Sequence, residues 1–136
     1  MRGTVLTAGD ARGIVLASDE PLSFWGGYDQ RTGEIIDRRH PLSGQNAAGR
    51  VLAIPCTRGS STTTAVLLEA VRAGTAPAAI VTTSVDHFLV LASIVADEMY
   101  GKLIPIVALS AADFAKLRSG QTVAVTRDGR VKIDDA

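Results

Sequence analysis

Three short apolar runs, each followed by a stretch long enough for a helix, constrain this chain more than any other feature. Arg50 to Pro55 contains Val51-Leu52-Ala53-Ile54, Ala78 to Thr82 contains Ala79-Ile80-Val81, and Ile104-Pro105-Ile106-Val107-Ala108 follows. None alternates polar with apolar residues, so each reads as a strand buried on both faces. The intervening stretches read as helices. Thr62 to Ala73 places Ala65, Leu68, Glu69 and Arg72 at helical spacings and stops at Gly74. Asp86 to Tyr100 puts Leu89, Ala92, Val95, Ala96 and Met99 on one apolar face and stops at Gly101. A β-α-β-α-β order implies a parallel sheet with right-handed crossovers. Ala111 to Leu117 adds a short helix that ends near Gly120.

The ends read differently. Val5-Leu6 and Ile14-Val15-Leu16-Ala17 are expected to form two short strands around a turn at Gly9-Asp10-Ala11-Arg12-Gly13. Thr122 to Val125 and Val131 to Ile133 flank Asp128-Gly129, the signature of a terminal hairpin. The expected fold is therefore α/β, with a central parallel βαβαβ unit and flanking antiparallel or barrel-like strands. Its 136 residues suit one domain, and no linker or repeat divides them. Aromatic residues are only 4% of the chain, so small and β-branched side chains must fill most of the core.

Composition excludes several functions. Fourteen basic residues balance fourteen acidic ones, which leaves no cationic surplus for a nucleic-acid backbone. Cys56 is the single cysteine; alone it forms no internal disulfide and holds no metal or iron–sulfur cluster. No apolar run reaches membrane-spanning length, and Met1-Arg2-Gly3-Thr4 does not open a signal peptide. A cytoplasmic location is the default expectation.

Two segments carry chemistry. Cys56-Thr57-Arg58-Gly59-Ser60-Ser61 is a polar turn between the first of these strands and its helix. Sites in open α/β sheets lie outside the carboxyl ends of strands. The free N–H groups of Ser60, Ser61 and Thr62 at a helix start would attract an anion. Arg58 could grip a carboxylate, and Gly59 allows close backbone approach. Donors there could also hold a serine as alkoxide, making it a base or nucleophile. Spacing alone favours simple capping over catalysis. The turn lacks the Gly-Lys-Ser/Thr ending of a nucleotide-binding loop and the Gly-x-Ser-x-Gly of a nucleophile elbow. The second segment is the long stretch from Ser18 to Gln45, with little periodicity and the only Trp. Stretches of this kind are often functional.

Within the long stretch, Asp19-Glu20-Pro21-Leu22-Ser23-Phe24-Trp25-Gly26-Gly27-Tyr28-Asp29 resembles the signature of the aconitase X small subunit. Thr32-Gly33-Glu34-Ile35-Ile36-Asp37, His40-Pro41-Leu42-Ser43-Gly44, Arg58-Gly59-Ser60-Ser61 and Ala76-Pro77-Ala78-Ala79-Ile80 continue the likeness, which runs from about Gly13 to Gly120. The resemblance implies a swivelling β/β/α domain. It implies a larger partner subunit, or fused domain, that holds an iron–sulfur cluster and much of the substrate site. It also implies a catalytic serine acting as proton acceptor, Ser60 here, with Ser61 the adjacent alternative. Known activities of the family are dehydrations of hydroxy acids. The Arg-Gly-Ser-Ser turn and the Ser-Phe-Trp-Gly-Gly loop look like those of cis-3-hydroxy-L-proline dehydratases. The alternatives are a mevalonate 5-phosphate dehydratase small subunit and a non-catalytic module that binds small anions. Thr62-Thr63-Thr64 departs from the Ser or Gly that often follows the double serine.

The remaining candidates have plainer readings beside the functional ones. Ser23, Trp25 and His40 could contact substrate; Trp25 could instead meet the partner or anchor its own loop, and His40 could be a structural turn residue. Glu20, Asp29 and Asp37 could assist proton transfer or only cap turns. Asp86 reads first as a helix N-cap, His87 as an exposed neighbour, and Cys56 as a small core residue.

Overall fold

The computed structural model describes residues 1–58 and 62–134. Its strands are β1 (Thr4–Thr7), β2 (Ala11–Ala17), β3 (Val51–Ala53), β4 (Ala79–Thr82), β5 (Ile106–Ala108), β6 (Thr122–Val125) and β7 (Val131–Asp134). Its helices are α1 (Thr62–Ala73), α2 (His87–Tyr100) and α3 (Ala111–Phe114). The strands form one sheet in the order β1-β5-β4-β3-β2-β6-β7. The four successive strands β5-β4-β3-β2 run parallel, while β1 pairs antiparallel with β5 and the β6–β7 hairpin pairs antiparallel with β2 through β6.

The apolar runs are continuous because both faces of their strands are covered. Alternate residues serve two cores. Leu52, Ile54, Ile80 and Ile106 face Leu67 of α1, Leu89 of α2 and the long segment. Val51, Ala53, Val81 and Val107 face the other way, toward Phe114, Leu117, Val123 and Val131. Successive right-handed crossovers step in one direction across the sheet, so α1 and α2 lie side by side on one face. The sheet curls over its opposite face and nearly closes. Arg2 and Arg130 form an antiparallel bridge, the Gly3 N–H donates to the Gly129 carbonyl at 2.8 Å, and the Val131 N–H donates to the Met1 carbonyl at 2.9 Å. Gly129 sits at φ 90°, and a Cβ there would stand 2.8 Å from the Gly3 oxygen, so this seam needs glycine. The result is the expected mixed α/β domain, with the barrel-like form of the flanking strands.

Several local expectations need correction. Ala11, Arg12 and Gly13 are not a turn; they begin β2, pairing with Val125, Ala124 and Val123. The polar look of this segment comes from strand residues that face solvent before β2 moves inward beside β3. β1 and β2 share no ladder, since β5 lies against β1. The buried face of α1 is Thr63, Val66, Leu67, Ala70 and Val71, whereas Ala65 and Arg72 are exposed. On α2, Met99 is exposed and Val95 half-buried, with Ser93 buried in their stead. Ser93 is satisfied there because its hydroxyl donates to the Ile104 carbonyl at 2.6 Å. α3 is shorter than expected, ending at Phe114.

Candidate active site

β2 to β5 end together, and the connections beyond their carboxyl ends form the site. The long segment between β2 and β3 is a packed loop that lies over the helical face. Leu22, Phe24, Tyr28, Ile35, Leu42 and Ala47 all enter the main core. Phe24 is fully buried and stacks at a tilt on Tyr28, with ring centroids 5.0 Å apart. The Tyr28 hydroxyl donates to the Thr75 carbonyl at 2.7 Å, and burial pushes its phenol above the ordinary value. Gly27 allows the loop to fold back, because a Cβ there would meet the Ser23 carbonyl oxygen at 2.1 Å.

This loop reaches the polar turn through main-chain bonds. The Leu22 N–H donates to the Cys56 carbonyl at 3.3 Å, and the Arg58 N–H returns to the Leu22 carbonyl at 3.0 Å. Glu20 and Pro21 are thereby held beside Thr57 and Arg58. A cavity of about 480 Å³ opens here, lined by Glu20, Pro21, Asp37, Arg39, His40 and Arg58. Two arginines and two acidic residues border it, a set able to hold a small zwitterionic or carboxylate-bearing molecule. A second cavity of about 480 Å³ lies toward α3 between Ala17, Pro55, Phe114 and Leu117. Its mainly apolar walls offer little to orient a charged substrate.

Glu20, Asp37, His40 and Arg58, named from the sequence, meet at the polar cavity. Gly59, Ser60 and Ser61 lie outside the described residues, between Arg58 at the cavity and Thr62 at the start of α1. His40 is buried, at 7% exposure. Its Nδ1 accepts the Leu42 N–H at 3.1 Å, and its Nε2 lies 3.3 Å from the Glu20 carbonyl. With Nδ1 accepting, Nε2 is the nitrogen left to donate to the Glu20 carbonyl. Both ring nitrogens thus tie two parts of the loop together at the border of the cavity. The Asp37 carboxylate accepts the Arg39 N–H at 3.0 Å, a local turn that presents Arg39. Arg39 escaped the sequence reading because nothing separates it from its neighbours Arg38 and Arg31; only the Asp37 turn does so.

Other candidates stand apart. The Ser23 hydroxyl donates to the Trp25 carbonyl at 2.9 Å, closing its own turn. Trp25 is 70% exposed, so it does not anchor the loop; Phe24 does. Trp25 borders a separate cavity with Tyr28, Asp29, Ile36 and Val66. Asp29 caps a turn, accepting the Arg31 N–H at 2.9 Å. His87 is exposed, and Cys56 is a half-buried free thiol. Asp86 is the N-cap of α2, and its second carboxylate oxygen also accepts from Thr57. Among the described residues, no three His, Cys, Asp or Glu side chains are grouped to ligate a metal, and no helix is long and apolar enough to cross a membrane.

The sequence pattern of the aconitase X swivel domain matches residues 1–133. The chain is 52% identical over 104 residues to a cis-3-hydroxy-L-proline dehydratase of Pseudomonas aeruginosa, a match covering 76% of this chain and 18% of that protein. It is 35% identical over 136 residues to a phosphomevalonate dehydratase small subunit of Thermococcus onnurineus, covering 99% of this chain and 98% of that subunit. The crystal structure of Thermococcus kodakaraensis aconitase X in its holo-form superposes with a TM-score of 0.88 at 31% identity, over 98% of this chain and 97% of that one.

Proposed function

The chain belongs to the aconitase X swivel-domain family, and we propose that it supplies the small half of a hydro-lyase active site that dehydrates cis-3-hydroxy-L-proline. The observation that carries this reading is the polar cavity between the Glu20–His40 loop and Arg58, the residue that precedes the Gly59-Ser60-Ser61 run in the sequence. The likeness to a hydroxyproline dehydratase at 52% identity supports the substrate. Because the chain spans only 18% of that relative, most of the site must come from a larger subunit or fused domain. In this reading the partner is an aconitase X large subunit, in a heterodimer or higher assembly.

Dehydration of a β-hydroxy acid needs a base for the α-proton and an acid for the departing hydroxyl. Ser60, as its alkoxide, takes the α-proton; the C–H electron pair becomes the new double bond; and the β-hydroxyl leaves with the C–O pair, protonated to water by an acid that the larger part of the site would supply. Arg58 holds the substrate carboxylate or steadies the serine alkoxide. The grouping of described residues does not fit an iron–sulfur cluster, and one cysteine cannot hold one; a cluster in this enzyme belongs to the large subunit.

The test is co-expression with the large subunit and assay on cis-3-hydroxy-L-proline and mevalonate 5-phosphate. The small chain alone should be inactive. In the assembled enzyme Ser60→Ala should lower turnover by about 10²- to 10⁴-fold, the usual worth of a general base, with assembly intact. A fully active Ser60→Ala enzyme would refute the proton-acceptor role. Turnover of mevalonate 5-phosphate alone would move the chain to the phosphomevalonate group.

A further inference from the structure

Asp86 does more than an N-cap requires. It is 8% exposed and forms no ion pair among the described residues. One carboxylate oxygen, Oδ1, accepts the Leu89 N–H at 3.2 Å and caps α2. The other, Oδ2, accepts two bonds from one residue 29 positions earlier: the Thr57 N–H at 2.8 Å and the Thr57 hydroxyl at 2.6 Å. Capping alone uses one oxygen, and asparagine caps as well as aspartate. The second oxygen, with room for two donors, is what a carboxylate adds.

The same helix start also holds the first turn of α1. The Thr64 hydroxyl donates to the Phe88 carbonyl at 3.0 Å. Thr57 precedes residues 59–61 in the sequence and Thr64 follows them, and each is bonded to the start of α2, at Asp86 and Phe88. Thr57 also lies between the two main-chain bonds that join Leu22 to Cys56 and Arg58. A displacement of Thr57 would therefore move Arg58 and the edge of the cavity together.

We propose that Asp86 is a positioning residue: through Thr57 it fixes Arg58 and the adjoining edge of the polar cavity against the first turn of α2, so that substrate is held in place for proton transfer. This rests on the dehydratase reading above. Hydrogen bonds to a buried carboxylate are charge-assisted and well directed. Proton transfer is correspondingly sensitive to place, since a shift of about 1 Å can cost on the order of 10² in rate.

The assembled enzyme tests the link with cis-3-hydroxy-L-proline. Asp86→Asn keeps a capping oxygen for Leu89 but turns an amide toward the Thr57 donors. It should lower kcat by about 10- to 100-fold, with a smaller change in KM and little loss of Tm. Thr57→Val removes only the hydroxyl bond and should lower kcat by less, with Thr57→Ser recovering most of that loss. Because Thr57→Val leaves the cap untouched, it tests the link even where Asp86→Asn assembles poorly. Amide hydrogen exchange gives a reading independent of turnover: in Asp86→Asn the Thr57 amide should exchange faster while Leu89 stays protected. A purely structural Asp86 predicts the opposite pattern, a lower Tm with kcat per assembled enzyme unchanged, and that result overturns the proposal. Combining the change with Ser60→Ala separates the two readings. If Ser60→Ala abolishes turnover, Asp86→Asn should add little to it. If Ser60→Ala is active, the base assignment fails and the positioning role falls with it.

Discussion

The crossover from β3 to β5 and the loop between β2 and β3 meet at one cavity but are held in place by different means. The crossover is a continuous solid. Leu52, Ile54, Ile80 and Ile106 pack under two helices, and Val51, Val81 and Val107 pack into the curl, so each strand residue is secured from both sides. The loop hangs on separate points: Phe24 and Ile35 in the core, the Tyr28 hydroxyl on Thr75, and His40 between Glu20 and Leu42. Arg58 comes from the first region, and Glu20, Asp37, Arg39 and His40 come from the second. The cavity thus joins a wall secured by sheet and helices to one secured by separate side-chain anchors, and the two walls are expected to open as different local units.

The largest expected effect tests that contrast directly. Ile80→Ala should cost about 2–5 kcal/mol and Phe24→Ala about 3–5 kcal/mol, as buried large-to-small changes do. The magnitudes overlap, but the distribution should not. Native-state hydrogen exchange of Phe24→Ala should show residues 22–47 opening while the β3 and β4 amides stay protected. Ile80→Ala should open β3, β4 and β5 together. If the loss of Phe24 exposed β4 as fully as the loss of Ile80, the loop would be part of the same cooperative unit and the contrast would fail.

The same contrast decides how much could be read from the sequence. The crossover was legible because burial on both faces leaves an unbroken apolar run, and helix stops at Gly74 and Gly101 punctuate it. β2 was half hidden, because its first residues face solvent and resemble a turn. The loop was legible as a pattern of particular residues and not as a periodicity, since its anchors are irregularly spaced. Trp25 and Phe24 show the limit: adjacent aromatics, one exposed and one fully buried, with nothing in the local pattern to say which turns inward. The clustering of Glu20, Asp37, His40 and Arg58 was equally invisible. It depends on the parallel bridge of Leu22 with Thr57, a contact between residues 35 positions apart.

A smaller effect isolates one anchor of the loop. Tyr28→Phe keeps the ring against Phe24 and removes only the hydroxyl bond to Thr75. At neutral pH it should cost about 1 kcal/mol by urea denaturation. Burial raises the Tyr28 pKa in the folded chain, so above the unfolded value of about 10 the folded state retains a proton that the unfolded state loses. Stability is therefore whole below about pH 10 and falls as pH rises beyond it. Tyr28→Phe should flatten that alkaline fall. A variant that lost stability with pH as steeply as the parent would place the alkaline weakness elsewhere in the chain.

The smallest expected effect on stability comes from the most conspicuous residue of the loop. Trp25 projects into solvent beside Ile36, itself exposed, and its carbonyl takes the Ser23 hydroxyl without help from the indole. Trp25→Ala keeps that carbonyl, leaves Phe24 in place and should change unfolding free energy by no more than about 0.5 kcal/mol, the usual range for exposed positions. Set beside Phe24→Ala, it compares neighbouring aromatics in one loop, one bearing the fold and one not. A loss of several kcal/mol from Trp25→Ala would show that the indole, and not Phe24 alone, fastens the loop to α1. Near-zero change separates the Ser-Phe-Trp-Gly-Gly run into a structural aromatic followed by one whose side chain the isolated domain does not need.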